Sequence, residues 1–295
     1  MSAPSAHLRI DDGWEISMTG RDNITGHYGG DGEIARRIDE QLRLSGVADD
    51  HNLSPSDLAA LDQFHMGGLA ATQELARLFS PSRGSYVLDI GSGLGGPSRY
   101  LAANYGCRVI GIDITEEYCR IASVLAARMG LEDRVEYRHG DARVLLFPDE
   151  TFDGAWTQHV SMNIAEKKQL YEGIRRILKV GGRFALHDVV QRTSGPILFP
   201  VPWARTQEIS HLQSMETMSK TILDAGFALV AWNDVTKDAL RFLDAMVARS
   251  RNAETPRLGL HLVLGSDFSE MVRNFRRNLA EERCGVVQAV FRRVS

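Results

Sequence analysis

The chain has 295 residues, of which 43% are hydrophobic and 24% are charged, and its formal net charge is −4. This length and hydrophobic content suffice for one large domain with insertions, and they exclude a disordered or fibrous protein. Because the net charge is negative and no basic patch stands out, we expect no nucleic-acid partner.

The three cysteines, Cys107, Cys119 and Cys284, show neither metal-ligand spacing nor a disulfide pattern. We therefore expect no metal site, and we expect a reducing compartment such as the cytoplasm. No basic start followed by an apolar run opens the sequence, and no window approaches 18 uninterrupted apolar residues, so we expect no membrane association. The sequence leaves open whether the protein is a monomer or a homodimer.

The first 80 residues are predicted to form an N-terminal arm and a helical cap. Residues 1 to about 30 are polar and glycine-rich, as is typical of a loose arm or lid. Helices are predicted from Glu33 to Leu44, from Ser54-Pro55 onward, and from Ala70 to Phe79 after a Gly-Gly pair.

Residues 81–295 are predicted to form an α/β domain, because apolar runs alternate with helical segments from Ser85 onward. The predicted strands are Tyr86–Ile90, Arg108–Ile112, Arg134–Tyr137, Gly154–Thr157 and Arg183–Val189, with helices at about 97–105, 116–129, 141–145 and 166–178. This rhythm is typical of a parallel sheet with helices on both faces.

The C-terminal part departs from this rhythm. A helix at Met215–Ala225 and a strand at Phe227–Trp232 are followed by helices at about 237–249 and 267–280. A last strand, Gly285–Phe291, follows this long excursion, so an antiparallel entry into the sheet is expected. Two insertions are predicted, a lid around 191–214 and a helical one around 237–282.

The stretch VLDIGSGLGGP, residues 87–97, fits two glycine fingerprints. Gly91-x-Gly93-x-x-Gly96 is the dinucleotide signature, in which backbone amides at a helix N-terminus hold a pyrophosphate. However, Asp89 stands where that signature normally has an apolar residue. A buried carboxylate needs a cation or a set of donors. The ammonium of a bound amino-acid moiety, or a hydrogen-bond network just beneath it, would supply one.

Two further acids follow the next two strands. Asp113 lies after the second strand, where a carboxylate can chelate two ribose hydroxyls. Asp141, after the third strand, could accept from an exocyclic adenine amine. Three acids after three strands suit a ligand made of amino acid, ribose and adenine, without a phosphate.

Several motifs together resemble class I S-adenosylmethionine-dependent methyltransferases, over roughly residues 60 to 295. They are VLDIGSGLGG, GIDIT, GDA, FDGAWTQH and RRILKVGGRFALHDV. QFHMGGLAAT, WTQHVSMNI and FPVPWAR are similar to the branch that contains sarcosine/dimethylglycine N-methyltransferases. The resemblance implies a Rossmann-like, seven-stranded, mostly parallel sheet with an antiparallel last strand.

The resemblance also implies S-adenosyl-L-methionine as cofactor. The expected cofactor-binding residues are Asp89, Gly91, Ser92, Gly93, Gly95, Asp113, Ile114, Asp141, Ala142 and Gln158. For Gly96 we expect only a packing role.

The candidates for catalysis and acceptor binding surround the fourth and fifth strands. His159 could act as a base or orient the acceptor, with a structural histidine as the alternative, and Asn163 is the second catalytic candidate. Tyr28, His187, Trp203 and Arg205 are the substrate-binding candidates. Arg205 could hold an acceptor carboxylate and Trp203 could lie against a cationic nitrogen.

The predicted function is in-line methyl transfer to a small molecule, with N-methylation of a small amine or amino acid as the first choice. O- or C-methylation of a secondary metabolite or quinone is the alternative. A nicotinamide-dependent oxidoreductase is disfavoured by Asp89, and a non-catalytic donor-binding protein is disfavoured by the intact FPVPWAR insertion.

Overall fold

The computed structural model describes residues 34, 36–38, 40, 53–192, 195–251, 259 and 261–295, without the side chains of 249–251. The described residues form one seven-stranded sheet with helices on both faces. Its strands are β1 Tyr86–Ile90, β2 Arg108–Asp113, β3 Val135–His139, β4 Phe152–Gln158, β5 Leu178–Gln191, β6 Phe227–Asp234 and β7 Cys284–Arg293.

Helices lie before, between and after these strands. They are α1 Pro55–Asp62, α2 Gly68–Phe79, α3 Gly96–Tyr105, α4 Glu116–Ala127, α5 Lys167–Ile177, α6 Met215–Asp224, α7 Thr236–Arg251, α8 His261–Leu264 and α9 Phe268–Ala280. The described part of the chain contains no helix that is both long and apolar enough to span a lipid bilayer.

The strand order is β3-β2-β1-β4-β5-β7-β6. The pairs among β1 to β5 are parallel, whereas β7 pairs antiparallel with both β5 and β6. The predicted fold class, with its antiparallel last strand, is therefore confirmed. The order reverses next to β1, which lies between β2 and β4, and open α/β sheets bind ligands at such a switch point.

Strand alternation in β1 divides the core into two layers and decides where Asp89 lies. Leu88 and Ile90 pack in the cluster that contains α5 residues, and Val87 packs in the cluster on the opposite face with Leu101 of α3. Because successive side chains point to opposite faces, Asp89 shares the α3 face with Val87.

One predicted helix is wrong. Residues 141–145 form a turn, in which the Val144 N–H donates to the Asp141 carbonyl at 2.9 Å. The side chain of Asp141 accepts the backbone N–H of Arg143 at 2.9 Å, and this local bond competes with a helical ladder.

Candidate active site

A cavity of about 720 Å3 lies at the carboxyl ends of the parallel strands. It is lined by residues from the loop after β1, the ends of β2 and β4, α1 and α7, and by Gly259 and residues within 261–272. Of the expected cofactor-binding residues, those that line the cavity are Asp89, Gly91, Ser92, Gly93, Asp113, Ile114, Asp141, Ala142 and Gln158.

The loop after β1 is held against β2. The N–H groups of Gly91 and Ser92 both donate to the Ile112 carbonyl, at 2.8 and 3.0 Å. Gly91 has a φ of +71°, and a Cβ there would lie 2.4 Å from Cγ2 of Val160. Glycine at this position lets the loop approach the segment after β4.

Gly95 departs from its expected role, because it is absent from the residues that line the cavity in the described part of the chain. Its φ is +79°, and a Cβ there would meet the Tyr137 hydroxyl at 2.1 Å. Gly95 therefore allows α3 to pack against β3. Gly96 packs as closely on Gln63, whose Nε2 would lie 2.3 Å from a Cβ, in line with the packing role expected for it.

Asp89 is buried and accepts a 2.5 Å hydrogen bond from the Ser98 hydroxyl of α3. Burial raises the pKa of the Asp89 carboxyl to about 7; the Ser98 bond opposes this shift, and the nearby Asp113 adds to it. The sequence analysis considered two partners for this acid, a bound ammonium group and a hydrogen-bond network. The bond from Ser98 belongs to the second.

Asp113 ties the end of β2 to the glycine loop. Its Oδ2 accepts the Gly93 N–H at 2.8 Å, and its Oδ1 accepts the Thr115 N–H at 2.9 Å. Burial raises the pKa of the Asp113 carboxyl, and the two backbone bonds oppose this shift. A carboxylate oxygen accepts more than one hydrogen bond, so both oxygens retain capacity toward the cavity.

Asp141 forms an ion pair that the sequence analysis did not foresee. The Arg143 guanidinium reaches both of its carboxylate oxygens, with Nη2 2.7 Å from Oδ2. A ligand amine at Asp141 would therefore share an acceptor already engaged by Arg143. The signal in the sequence was an arginine two residues after the acid.

Gln158 lies in a buried hydrogen-bond network rather than free in the cavity. Its Oε1 accepts from Trp156 Nε1 at 3.0 Å and from the Thr72 hydroxyl at 3.3 Å. Its Nε2 lies 3.4 Å from Nδ1 of His187.

Three imidazoles, those of His65, His159 and His187, form a histidine cluster beside this network. Their ring centroids are 5.1 to 6.2 Å apart. His65 and His159 line the cavity, whereas His187 is buried and is not among the described lining residues. Nε2 of His187 has no hydrogen-bond partner among the described residues.

Burial lowers the pKa of all three imidazoles, to about 4 for His65 and well below the usual value for His159 and His187. Each ring is therefore neutral at neutral pH. The Met66 N–H lies 3.4 Å from Nε2 of His159, which assigns the His159 proton to Nδ1.

His159 also has an unusual backbone. Its φ of +56° is in the left-handed region, and its N–H donates to the His187 carbonyl at 2.7 Å. Such conformations in residues other than glycine cluster at functional sites.

Asn163 and Trp203 both line the cavity and are connected. Nδ2 of Asn163 donates to the carbonyls of Trp203 and Ile209, at 2.7 and 3.0 Å. The indole N–H of Trp203 donates to the Ser210 hydroxyl at 3.0 Å. The amide of Asn163 thus anchors the segment that carries Trp203.

Arg205 requires a correction, because its guanidinium does not reach the cavity. It pairs with Asp267 at the surface, where the Arg205 side chain is 43% exposed. Only Pro202 and Trp203 of the FPVPWAR stretch line the cavity, since the segment turns outward after the Val201–Ala204 bridge. Tyr28 lies outside the described residues.

The sequence analysis missed a buried ion pair under the glycine loop. Asp62, at the end of α1, accepts from Nη2 of Arg99 in α3 at 2.6 Å, and both side chains are at most 2% exposed. Nη1 of Arg99 donates to the Leu94 carbonyl at 2.7 Å. The pair joins the cap to the loop, and neither residue belonged to a quoted motif with a role.

Comparisons with known proteins show similarity to methyltransferases. Residues 88–186 match a family described as "Methyltransferase domain". The methyltransferase GfsG of Streptomyces halstedii is 30% identical over 161 residues, which are 55% of this chain and 58% of that protein. A phosphoethanolamine N-methyltransferase of Triticum aestivum is 30% identical over 182 residues, or 62% of this chain and 35% of that protein.

Among solved structures, a protein of Galdieria sulphuraria provisionally named a sarcosine dimethylglycine methyltransferase has a TM-score of 0.64 at 16% identity. The match covers 88% of this chain and 98% of that one. This likeness concerns the fold. The chain spans between a third and three fifths of the length of the two curated relatives. The resemblance to methyltransferases is confirmed, since residues 88–186 match the methyltransferase-domain family.

Proposed function

We propose, from the methyltransferase domain at residues 88–186, that this protein is an S-adenosylmethionine-dependent methyltransferase that acts on a small molecule. One observation carries the proposal. The Asp113 carboxylate accepts the Gly93 N–H, so the acid at the end of β2 and the glycine loop after β1 form a single wall of the cavity.

The residues of this wall fit the donor. Gly91 and Gly93 have positive φ, so their backbone approaches the cavity without a side chain. The buried hydroxyl of Ser92 has no hydrogen-bond partner among the described residues and lies on the same wall. Asp113 would take the ribose hydroxyls, and Ile114, Asp141 and Ala142 would surround the adenine.

The cavity of about 720 Å3 is within the range of about 300–1,000 Å3 typical of small-ligand sites. The carboxyl groups of Asp113 and Asp141 line the same side of the cavity as the glycine loop, where they would repel a pyrophosphate held on the loop amides. This supports a donor without a pyrophosphate over a dinucleotide.

When bound, the donor supplies an electrophilic methyl group on a sulfonium. The chain's own contribution is to hold the acceptor in line and to exclude water. Trp203 and Asn163 close the cavity on the β4 side, and we propose that the segment 191–214 acts as a lid and 237–282 as a helical cover.

His159 is proposed to orient the acceptor atom. It lines the cavity next to Val160, which lies against Gly91 of the glycine loop. Its depressed pKa makes it a weak base, so hydrogen bonding fits this residue better than proton removal. Asn163 keeps a positioning role, since its amide holds the lid. Gln158 and His187 support His159 from behind.

Nitrogen is the first-choice acceptor atom, supported by the similarity to a phosphoethanolamine N-methyltransferase; a hydroxyl or carbon is the alternative. A cytoplasmic location stays a prediction, supported by three buried cysteines that are all free thiols. The choice between a monomer and a homodimer stays open.

The test is donor binding by calorimetry, followed by transfer of labelled methyl from S-adenosylmethionine to a metabolite mixture. Asp113→Asn should weaken donor binding at least tenfold, because a hydrogen bond to a charged group contributes about 1.5–3 kcal/mol. Asp149→Asn, at an exposed carboxylate of 72% exposure, is the matched control. Unchanged donor affinity in a folded Asp113→Asn variant would remove the ribose assignment, and absence of any labelled product would favour a binding protein.

A further inference from the structure

The cavity divides into two parts of different chemistry. The charged side chains of its described lining are Asp62, Asp89, Asp113, Asp141, Arg143 and Glu166. All of them belong to the wall formed by the glycine loop and Asp113, here named the donor wall, or lie beside it. Asp62 pairs with Arg99, and Glu166 lies 3.8 Å from Arg143. The residues that α7 and α9 contribute to the described lining carry no charge.

The second part, here named the apolar chamber, is defined by Met66, Met162, Trp203, Phe242, Met246 and Phe268. These residues belong to or pack against one hydrophobic cluster. The indole N–H of Trp203 is used by Ser210, so the ring presents apolar surface to the cavity. Three methionines add flexible, polarisable surface that adapts to irregular ligand shapes.

Helix α7 closes the chamber over the beginning of α2. The Phe242 ring lies 3.6 Å from where a Cβ of Gly68 would stand. Phe242 and Met246 are one helical turn apart and both face the cavity, whereas the intervening Ala245 is exposed. The apolar chamber is thus part of the same cavity as the donor wall.

An acceptor with a carboxylate or phosphate would lose its hydration in this chamber without gaining a cationic partner from the described lining. Burial of an unpaired charge costs several kcal/mol. The arginine expected to serve an acceptor carboxylate, Arg205, is paired with Asp267 outside the cavity. The polar lining near the chamber includes the hydroxyls of Ser266 and Ser269 and the imidazoles of His159 and His261. Burial lowers the pKa of both imidazoles, which favours their neutral forms.

We infer that the acceptor is a neutral molecule with an aromatic or hydrocarbon body and one nucleophilic nitrogen or hydroxyl, and that free amino acids and phosphorylated amines are poor acceptors. The inference rests on the proposed function, and it names the substrate class of the same site. The apolar body of the acceptor fills the chamber, while its nucleophilic atom lies toward His159 and the glycine loop.

The test uses the full chain saturated with S-adenosylhomocysteine and a matched pair of probes, para-phenylphenol and para-phenylbenzoic acid. They share the apolar body and differ in the charge of one substituent. By calorimetry, para-phenylphenol should bind at least tenfold more tightly than the acid, and sarcosine should give no saturable binding.

Two variants on α7 locate the binding. Met246→Lys should weaken the binding of para-phenylphenol at least tenfold and bring the affinity for the acid closer to that for the phenol. The affinity for S-adenosylhomocysteine should be unchanged. Ala245→Lys, one residue away on the exposed face, should match the wild type with both probes.

Equal or tighter binding of the acid to the wild type, or no saturable binding of para-phenylphenol, would overturn the inference while leaving the methyltransferase proposal intact. The same holds if Ala245→Lys impairs phenol binding as much as Met246→Lys. If the wild type does not bind S-adenosylhomocysteine at all, the proposed function is overturned, and the inference with it.

Discussion

Substitution of Asp62 by asparagine should destabilise the protein strongly. The change preserves the shape of the side chain but removes the charge that faces Arg99, whose guanidinium is 1% exposed. Burial raises the pKa of the Asp62 carboxyl even though Arg99 opposes the shift, so the pair carries a desolvation cost. Removal of one partner leaves the other charge buried and uncompensated, which costs about 3–5 kcal/mol.

The loss should be measured as the free energy of unfolding in urea, with far-UV circular dichroism to establish that the variant folds. Asp267→Asn removes the partner of Arg205 in an exposed ion pair and is the matched control, for which we expect no measurable change. A double variant, Asp62→Leu with Arg99→Met, removes both charges and should recover much of the stability.

The same variant should also weaken donor binding, because Arg99 holds the Leu94 carbonyl of the glycine loop. If Asp62→Asn unfolds at the same urea concentration as the wild type, the pair contributes no net stabilisation and the coupling of cap to loop described above is refuted. A double variant less stable than Asp62→Asn alone would count equally against an uncompensated charge as the cause.

Two further results are expected. Gly91→Ala should reduce donor affinity more than tenfold by calorimetry, because its φ is +71° and the added methyl would lie 2.4 Å from Val160, whereas Gly130→Ala, with φ +64° and open space, should leave it unchanged. The histidine cluster should lower the free energy of unfolding in urea as the pH falls from 7 to 5, because its folded pKa values are depressed and the unfolded chain binds protons that the native state refuses below pH 6.5. Asp89, with its raised pKa, acts in the opposite direction, so the contribution of the cluster is measured as the difference in pH dependence between the wild type and His65→Asn. The loss should reach up to about 1.4 kcal/mol per pH unit for each histidine, and a His65→Asn variant with an undiminished slope would show that another group is responsible.

The sheet was predictable because periodicity and glycine punctuation are local properties of the chain. The strands and the antiparallel entry of β7 follow from apolar runs and from the long excursion before the last of them. The turn at 141–145 was not predictable from periodicity, since a side chain of Asp141 decides it.

The convergence of the glycine loop with Asp113 and Asp141 on one cavity was also largely predictable, because acids at strand ends meet at one edge of a parallel sheet. The acceptor side was not. Arg205 is two residues from Trp203, the last cavity-lining residue of its segment, and a turn at the Val201–Ala204 bridge directs it outward. His65 joins two histidines roughly a hundred residues away, a tertiary contact with no local pattern.

The position of β7 between β5 and β6 has a consequence for synthesis on the ribosome. Its register partners on β5, such as Asp188 for Val287, precede it by about a hundred residues. Until β7 emerges, β5 keeps one unpaired edge, and β6 has no strand to join. An open edge next to buried apolar side chains invites pairing with other nascent chains. We therefore expect aggregation during the interval in which about a hundred residues are translated, and slow translation through α7 to α9 should lower the soluble yield.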